Sequence, residues 1–405
     1  MNRPRVLHVT TVHAPFDNRI FGMEAKSLAD AGFDVTLATT VDRPGVRDGV
    51  NIVPVGALGS VSQRSRRIGR NMRAFYAMQK PYDIVHVHDP ELLVPAGLVQ
   101  RLFGRAIVYD VHEFYDEKFG GGDATAEWIP GPLLRAVRAG YRATESVVLP
   151  RAAGIVVVSE PMIERYLRYL PPDRIALVQN YPNLADADIA EARNTLPPIA
   201  GPYVVHTGGA SKNRSFEVMV AAAETLRARG IASPLVNVGP IQLEGYPDAG
   251  ALLQRAEAAG IVMTGSLSHK ETLRWIAHAA IGYQPIADNH NNRRGQPRKL
   301  FEYVLFGLPV VSSDVGNIGK LVRDFGVGLT VPVDDGEAHA LALQRLLENP
   351  AVCAHYAANA RNVAPSFSFA TQLPNLITLY TRILGASPIS ASIPDLSAAE
   401  SHPVP

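Results

Sequence analysis

Two doubly wound α/β domains facing across a cleft are predicted by three observations. Short β-branched runs alternate with longer amphipathic stretches, the pattern of parallel strands buried on both faces. The alternation breaks at a proline-rich passage carrying Pro182, Pro197, Pro198 and Pro202, and then restarts. The 405 residues, 47% of them hydrophobic, suffice for more than one sizeable core.

In chain order, the strands expected before the break are RVLHVTT, DVTLATT, DIVHVH, AIVYDVH, GIVVVS and RIALVQN. After it come YVVHTG, LVNVG, GIVMTG, IGYQPI, PVVSSD and GLTVPV. This sets an N-terminal domain over 1–181, a linker over 182–201, a second domain over 202–366 and a terminal helix over 367–385. The last stretch, 386–405, is rich in Ser, Pro and Ala without periodicity and is expected to be disordered.

A formal charge of +1 argues against a general nucleic-acid binder, which needs a basic excess over a whole face. The lone cysteine, Cys353, excludes an intramolecular disulfide framework and a cysteine-rich zinc module. The N-terminal apolar run is too short for a signal peptide, and no run is long enough to span a bilayer, so a cytoplasmic protein is expected.

Positive charge is local. Arg293, Arg294, Arg298 and Lys299 fall within the eleven residues 289–299, which hold no acid. Pro297 suits a first helical position, and the N–H groups from Arg298 to Leu300 would then face an anion at the positive end of the helix dipole. Glu302 lies about 7.5 Å further along the axis at about 1.5 Å per residue, near the spacing from a diphosphate to a ribose diol. Gly307 and Pro309 stop the helix before a buried strand. An ordinary surface loop before a core helix fits the same residues.

Open parallel sheets bind ligands at the carboxyl ends of their strands. The polar residues expected there are His13, Arg19, His86, His88, Asp89, His112 and Glu113 in the first half, and Gly208 and Gly209 in the second. In HTGGASKNRS the glycines allow close backbone approach, and Lys212 and Arg214 stand ready for phosphate. A plain strand-to-helix turn with solvated cations is the alternative. Neither G-x-G-x-x-G after the first strand nor G-x-x-x-x-G-K-[ST] occurs, which disfavours a nicotinamide dehydrogenase and a Walker-type site. His86 and His88 share a strand face beside Asp89, so a metal-dependent hydrolase is a rival reading. Arginines 64, 66, 67, 70 and 73, interleaved with Ile68, Met72, Phe75 and Tyr76, suit a basic amphipathic helix lying on an anionic bilayer or packing on the core.

Taken together, DIVHVHDPELL, IVYDVHE, IVVVSEPMIERY, IALVQNYPN, HTGGASKNRSFEVMVAA, IVMTGSLSHKETLRWIAHA and KLFEYVLFGLPVVSSDVG resemble, in content and order over roughly 4–385, the retaining GT-B glycosyltransferases of glycosyltransferase family 4. The resemblance implies transfer of a sugar from a nucleotide diphosphate donor to a glycan or lipid-linked acceptor with retained anomeric configuration. No metal or other cofactor is implied. It gives His112 the place of the active-site histidine, Glu302 the ribose-binding second glutamate of an E-x7-E pair, Arg214 the diphosphate-binding lysine, and Gly265 the nucleobase region. It also implies a final helix crossing back to the first domain. Arg294 stands where the pair's first glutamate is usual, so this looks like an atypical member. A degenerate protein that binds sugar nucleotides without turnover is therefore a further alternative. Peripheral contact with the inner membrane face through the helix near Arg64 to Arg73 would suit a lipid-linked acceptor.

Overall fold

The computed structural model describes residues 3–58, 64–115, 131–184, 186–196, 199–295 and 298–385. Described residues within Met1–His112, within Gly140–Val178 and from Gln372 on form one compact unit, and those within Glu113–Ala139 and Gln179–Thr371 form another.

The first unit is built on eight strands: β1 (Arg5–Val9), β2 (Asp34–Thr39), β3 (Gly45–Arg47), β4 (Val50–Pro54), β5 (Ile84–Val87), β6 (Ala106–Val111), β7 (Gly154–Val157) and β8 (Ile175–Leu177). They run in the order β3-β4-β2-β1-β5-β6-β7-β8, parallel except for the antiparallel pair β3–β4. That pair is absent from the sequence expectation. Asp48 and Gly49 turn it with φ of 47° and 76°, the two-residue geometry that Asp-Gly favours. Every residue of β5 and β7 is buried, as central parallel strands require. In the register of β1 with β5, His8 lies opposite His86. The helix Leu373–Leu384 belongs to this unit: Leu379 packs where Gly154 lacks a side chain, and Tyr380 is fully buried.

The second unit holds six parallel strands, β9 (Val204–Thr207), β10 (Leu235–Val238), β11 (Val262–Gly265), β12 (Ile281–Gln284), β13 (Val310–Ser313) and β14 (Gly328–Val331), in the order β11-β10-β9-β12-β13-β14. Each coincides with one of the runs expected after the break. The helix Arg298–Leu305 buries Leu300, Phe301, Tyr303 and Val304 in the core beneath β9 and β12, and Gly307, at φ 72°, ends its last turn. Tyr303 fits because Gly282 on β12 has no Cβ to meet its ring.

The stretch 182–201, expected as the linker, carries the helix Asp186–Asn194, whose Glu191 reaches Lys270 at 2.6 Å. Pro197 and Pro198 lie outside the described residues, as do Pro297 and the expected tail, 386–405. Among the described residues no helix is long and apolar enough to cross a membrane.

Candidate functional site

In the second unit a pocket of about 340 Å³ opens at the carboxyl ends of three neighbouring strands. Thr207 and Gly208 end β9, Val238 and Gly239 end β10, and Ser266 and Leu267 follow β11. Two helix starts complete the wall, with His269 from His269–Ala277 and Arg298, Lys299 and Glu302 from Arg298–Leu305. This is where an open parallel sheet places a ligand.

Missing side chains shape the floor. Gly208 has φ 150°, and a Cβ there would overlap Lys299 Nζ and sit 3.2 Å from His206 Nε2. A Cβ on Gly239, at φ 157°, would overlap the Gly208 carbonyl. The two turns thus stack backbone on backbone. Tyr303 Oη holds them by accepting the Thr207 N–H at 2.8 Å.

Lys299 is the main charge on this floor. Burial first, and the Arg214 guanidinium second, push its ammonium down to about 7. His206, beneath it, is pushed down to about 3 by burial and then by Lys299, so it stays neutral at physiological pH. Burial also lowers Arg214. Cations packed this closely without a matching number of acids suit an anion. Arg214 ends the short helix Lys212–Arg214, and the next residue, Ser215, adopts φ 42°, a left-handed conformation costly for a residue with a Cβ. That kink starts the helix Phe216–Ala228 immediately after the guanidinium. Lys212 itself is exposed.

Glu302 is 5% exposed and already engaged: Arg298 Nη2 lies 2.8 Å from its Oε1 and 3.1 Å from His269 Nε2. The 289–299 segment is also less cationic than its own residues suggest. Asp288, just outside it, pairs with Arg293 at 2.7 Å. The segment is tied down by Asn213, whose Oδ1 accepts from Asn289 Nδ2 at 2.6 Å and Asn292 Nδ2 at 3.0 Å. Gly209 lies against Gln242, and Gly265, at φ 71°, ends β11 just before the lining residues Ser266 and Leu267. Leu300 is 2% exposed and serves the core, so only its backbone is left for a ligand.

The first unit carries a dense polar cluster at its own strand ends. Asp110, on β6, is fully buried and accepts from Arg19 Nε at 3.2 Å and Arg19 Nη2 at 3.1 Å. His88 Nδ1 and His112 Nε2 each lie 3.2 Å from Asp110 Oδ2. Burial alone would raise this carboxyl, but Arg19 and His112 hold it well below the usual carboxylate range. Glu24, 3.0 Å from Arg19, goes the other way: burial and then Asp110 push it well up, so it is the neutral member of the pair. Asp89 accepts from Thr10 Oγ1 at 3.0 Å and the Thr11 N–H at 2.5 Å, and pairs with His13 Nδ1 at 2.9 Å. Burial disfavours a charged His13, yet Asp89 raises it on balance.

This geometry sorts the residues expected at the acceptor side. His13 and His112 keep partial exposure, 26% and 13% of their side chains, and their rings lie 5.3 Å apart. Glu113 is half-buried. Arg19, His88 and Asp89 are instead buried, at 7%, 0% and 0%, and support the exposed pair. Among the described residues, His8, Glu24, His86 and His88 form one group spaced as metal ligands, and His88, Asp110 and His112 form another; Asp89 is in neither. Arg19 lies within 3.1 Å of both Glu24 and Asp110, so a guanidinium already supplies the positive charge there.

Sequence reasoning passes over several contributors. Asp110 is two residues before His112 yet reads as a strand residue. His206 and Tyr303 look like core residues. Asn213 acts through Asn289 and Asn292, which are distant from it in sequence. His269 carried a local signal, because Ser268 and Glu271 form a capping box that marks it as a helix start.

Comparison with known proteins agrees with this arrangement. Residues 18–181 match a family described as "Glycosyl transferase 4-like domain", and 201–349 match "Glycosyl transferases group 1". A D-inositol 3-phosphate glycosyltransferase of Nocardioides sp. is 28% identical over 324 residues, 74% of this chain and 67% of that one. A glycogen synthase of Mycobacterium tuberculosis is 24% identical over 286 residues, 69% of this chain and 63% of that one. The chain thus spans about two thirds of these relatives' length. Among solved structures, sucrose-phosphate synthase from Thermosynechococcus elongatus superposes with a TM-score of 0.70 at 18% identity, over 95% of this chain and 100% of that one. Anabaena Alr3699/HepE in complex with UDP-glucose does so with a TM-score of 0.65 at 15% identity, over 94% and 98%.

Proposed function

Starting from the fact that this chain belongs to the GT-B-fold glycosyltransferases of the GT4-like family, we propose that it transfers a hexose from a nucleotide diphosphate sugar, with retention, to a hydroxyl of a glycan or lipid-linked acceptor. The observation that carries this reading is the second-unit pocket, where Lys299, crowded by the nearby Arg214 guanidinium, lies against bare backbone at Gly208 and a carboxylate, Glu302, stands on the same wall. A diphosphate relieves that crowding, and Glu302 accepts from the ribose hydroxyls. Charge growing on the leaving diphosphate is met by Lys299, Arg214 and the N–H groups opening the helix at Arg298, with no metal required. Relatives of the same fold are known with UDP and UDP-glucose bound, which supports a nucleotide donor. The turn from Gly265 to His269 takes the base.

The first unit contributes His112 at the sugar, held by Asp110, while His13 with Asp89 meets the acceptor. A membrane-linked acceptor is supported by the helix Arg64–Gln79, where Ile68, Met72 and Tyr76, exposed by 65%, 48% and 62%, form a solvent-facing apolar stripe at helical spacing. Its arginines are partly used inward: Arg67 pairs with Glu91 at 2.9 Å, and Arg70 donates to the Thr11 carbonyl at 2.8 Å.

A thermal-shift screen of nucleotide sugars, followed by turnover with the stabilising donor in the presence of a chelator, tests the reading. A single stabilising donor, transfer that survives chelation, and an α-linked product from an α-linked donor are expected. Stabilisation without transfer to any acceptor would point to a sugar-nucleotide-binding protein instead, and chelator-sensitive hydrolysis would point to the histidine cluster.

A further inference from the structure

A continuous buried chain of rings runs behind His112 in the first unit. His86 Nδ1 lies 2.7 Å from Tyr380 Oη, Tyr380 Oη 3.3 Å from His8 Nε2, and His8 Nδ1 2.9 Å from His88 Nε2. His88 Nδ1 then lies 3.2 Å from Asp110 Oδ2, and the same oxygen is 3.2 Å from His112 Nε2. The three inner histidines and Tyr380 are fully buried. A neutral imidazole has one donor and one acceptor nitrogen, so the proton on one ring dictates the next.

We propose that this chain is polarised in one direction by Asp110, which fixes His112 as its Nε2–H tautomer and leaves Nδ1 as a hydrogen-bond acceptor toward substrate. The argument starts at the anion. Asp110 accepts only, and although His88 Nδ1 and His112 Nε2 also lie 3.3 Å from each other, a lone pair on either would face the carboxylate, so both donate to its Oδ2: His88 carries its proton on Nδ1 and His112 on Nε2. His88 Nε2 is then an acceptor, which makes His8 Nδ1 the donor and His8 Nε2 an acceptor from Tyr380 Oη–H. The tyrosine oxygen in turn accepts from His86 Nδ1–H. Reversing the chain would set the lone pair of His88 against a carboxylate 3.2 Å away. Burial lowers His8, His86 and His88, which keeps each ring neutral as the scheme requires.

The chemical consequence bears on the transfer reaction, and the inference rests on the reading that His112 stands at the sugar. With Nδ1 as acceptor, His112 takes a hydrogen bond from a sugar hydroxyl, and it does not donate one to a substrate oxygen. Asp110 is the positioning residue that acts through it, while His88, His8 and Tyr380 take their polarity from the same carboxylate. Tyr380 comes from the final helix, so the polarised chain ties that helix to the strand ends around Asp110.

Full-length protein labelled with ¹⁵N-histidine, at pH 8, reads the tautomers from ring nitrogen shifts, with His112 assigned by loss of its signal in His112→Ala. The expected result is a His112 Nε2–H pattern and a His8 Nδ1–H pattern. Tyr380→Phe, an isosteric change in a buried site, should leave His112 and His8 unaltered, both being fixed from the Asp110 side, while releasing His86 into a mixture of tautomers. Asp110→Asn should move His112 toward Nδ1–H and lower kcat about 10- to 100-fold, with the donor KM within about twofold. A His112 Nδ1–H pattern in the unaltered protein overturns the proposal, as does a His86 ring indifferent to Tyr380→Phe. The tautomer readout needs no turnover. Full activity in His112→Ala would therefore sink the placement of His112 at the sugar without touching the spectroscopic result, and the two failures are distinguishable.

Discussion

Arg298 and Glu302 stand one helical turn apart and meet at 2.8 Å on the wall of the second-unit pocket, with the same guanidinium 3.1 Å from His269. The carboxylate assigned to the ribose is thus oriented before any ligand arrives. Its second oxygen is left for the diol, and Arg298 fixes the rotamer that presents it. Glu302→Gln keeps the shape but loses the charge. Donor affinity should fall about 10- to 100-fold, the loss of a charged hydrogen bond worth about 1.5–3 kcal/mol. Titration calorimetry with the stabilising nucleotide sugar measures it, and an unchanged Kd removes Glu302 from the site.

Lys299 makes donor binding pH-dependent. Its ammonium is pushed down to about 7 by burial and by Arg214 in the unliganded protein. A bound diphosphate must raise it, because an opposite charge favours the charged form. Protonation and binding therefore reinforce each other: affinity is full below pH 7 and declines as pH rises from 7 toward the liganded value. At pH 8 binding should take up a proton, visible as a heat that varies with the ionisation enthalpy of the buffer. Lys299→Met should abolish that variation and weaken binding at pH 6 more than at pH 9.

Gly208 and Gly239 are adjacent and face each other, yet substitution should affect different properties. An alanine Cβ at Gly208 meets mainly the tip of Lys299, a flexible side chain that can withdraw. At Gly239 it meets the Gly208 backbone, which cannot. Gly208→Ala should cost donor affinity at least tenfold with a modest stability loss of about 1 kcal/mol. Gly239→Ala should cost about 2–4 kcal/mol in urea unfolding. Equal effects on both properties would mean that the two turns are not stacked as described.

The legible and illegible parts of this molecule divide along a physical line. The strands of the second unit were legible because burial on both faces selects runs such as YVVHTG and PVVSSD, a purely local signal. So was the helix over Arg298 to Leu305, because glycine and proline punctuate it. What stayed hidden depends on pairs distant in the chain. Asn292 is 79 residues from Asn213, and Tyr380 is 294 residues from His86. No window of sequence holds both partners. Arg293 reads as an unopposed cation for a different reason: Asp288 stands just outside the 289–299 segment, and only the geometry shows it turning back onto the guanidinium. Arg19, His88 and Asp89, expected among the cleft residues, are buried: the carboxyl end of a strand predicts proximity to a site, and burial depends on what the rest of the chain packs against it.

His112 separates binding from turnover. It belongs to the first unit and takes no part in the second-unit pocket, so His112→Ala should leave donor affinity within about threefold while lowering kcat by a factor of about 10² to 10⁴. Calorimetry and initial rates on the same preparation decide this. Parallel losses in both would make His112 a donor-binding residue, and unchanged rates would remove it from the reaction.

Arg19 is the electrostatic keystone of the first unit, and its removal has a definite pH signature. It holds Asp110 charged while Glu24 beside it stays neutral. Arg19→Leu leaves a buried carboxylate without its cation, which costs about 3–5 kcal/mol at pH 7. The depressed Asp110 stabilises the wild-type fold above the unfolded carboxyl pKa, about 4, and that contribution disappears as pH falls through the folded value. In the variant, burial acts on Asp110 without Arg19 to oppose it, so the carboxyl rises and takes a proton as the pH is lowered. The stability gap between the two proteins should therefore be widest near neutrality and narrow toward pH 4, as read by urea unfolding at both pH values. A gap that is constant with pH would mean that the guanidinium acts through packing alone, and that the charge on Asp110 is held by His88 and His112.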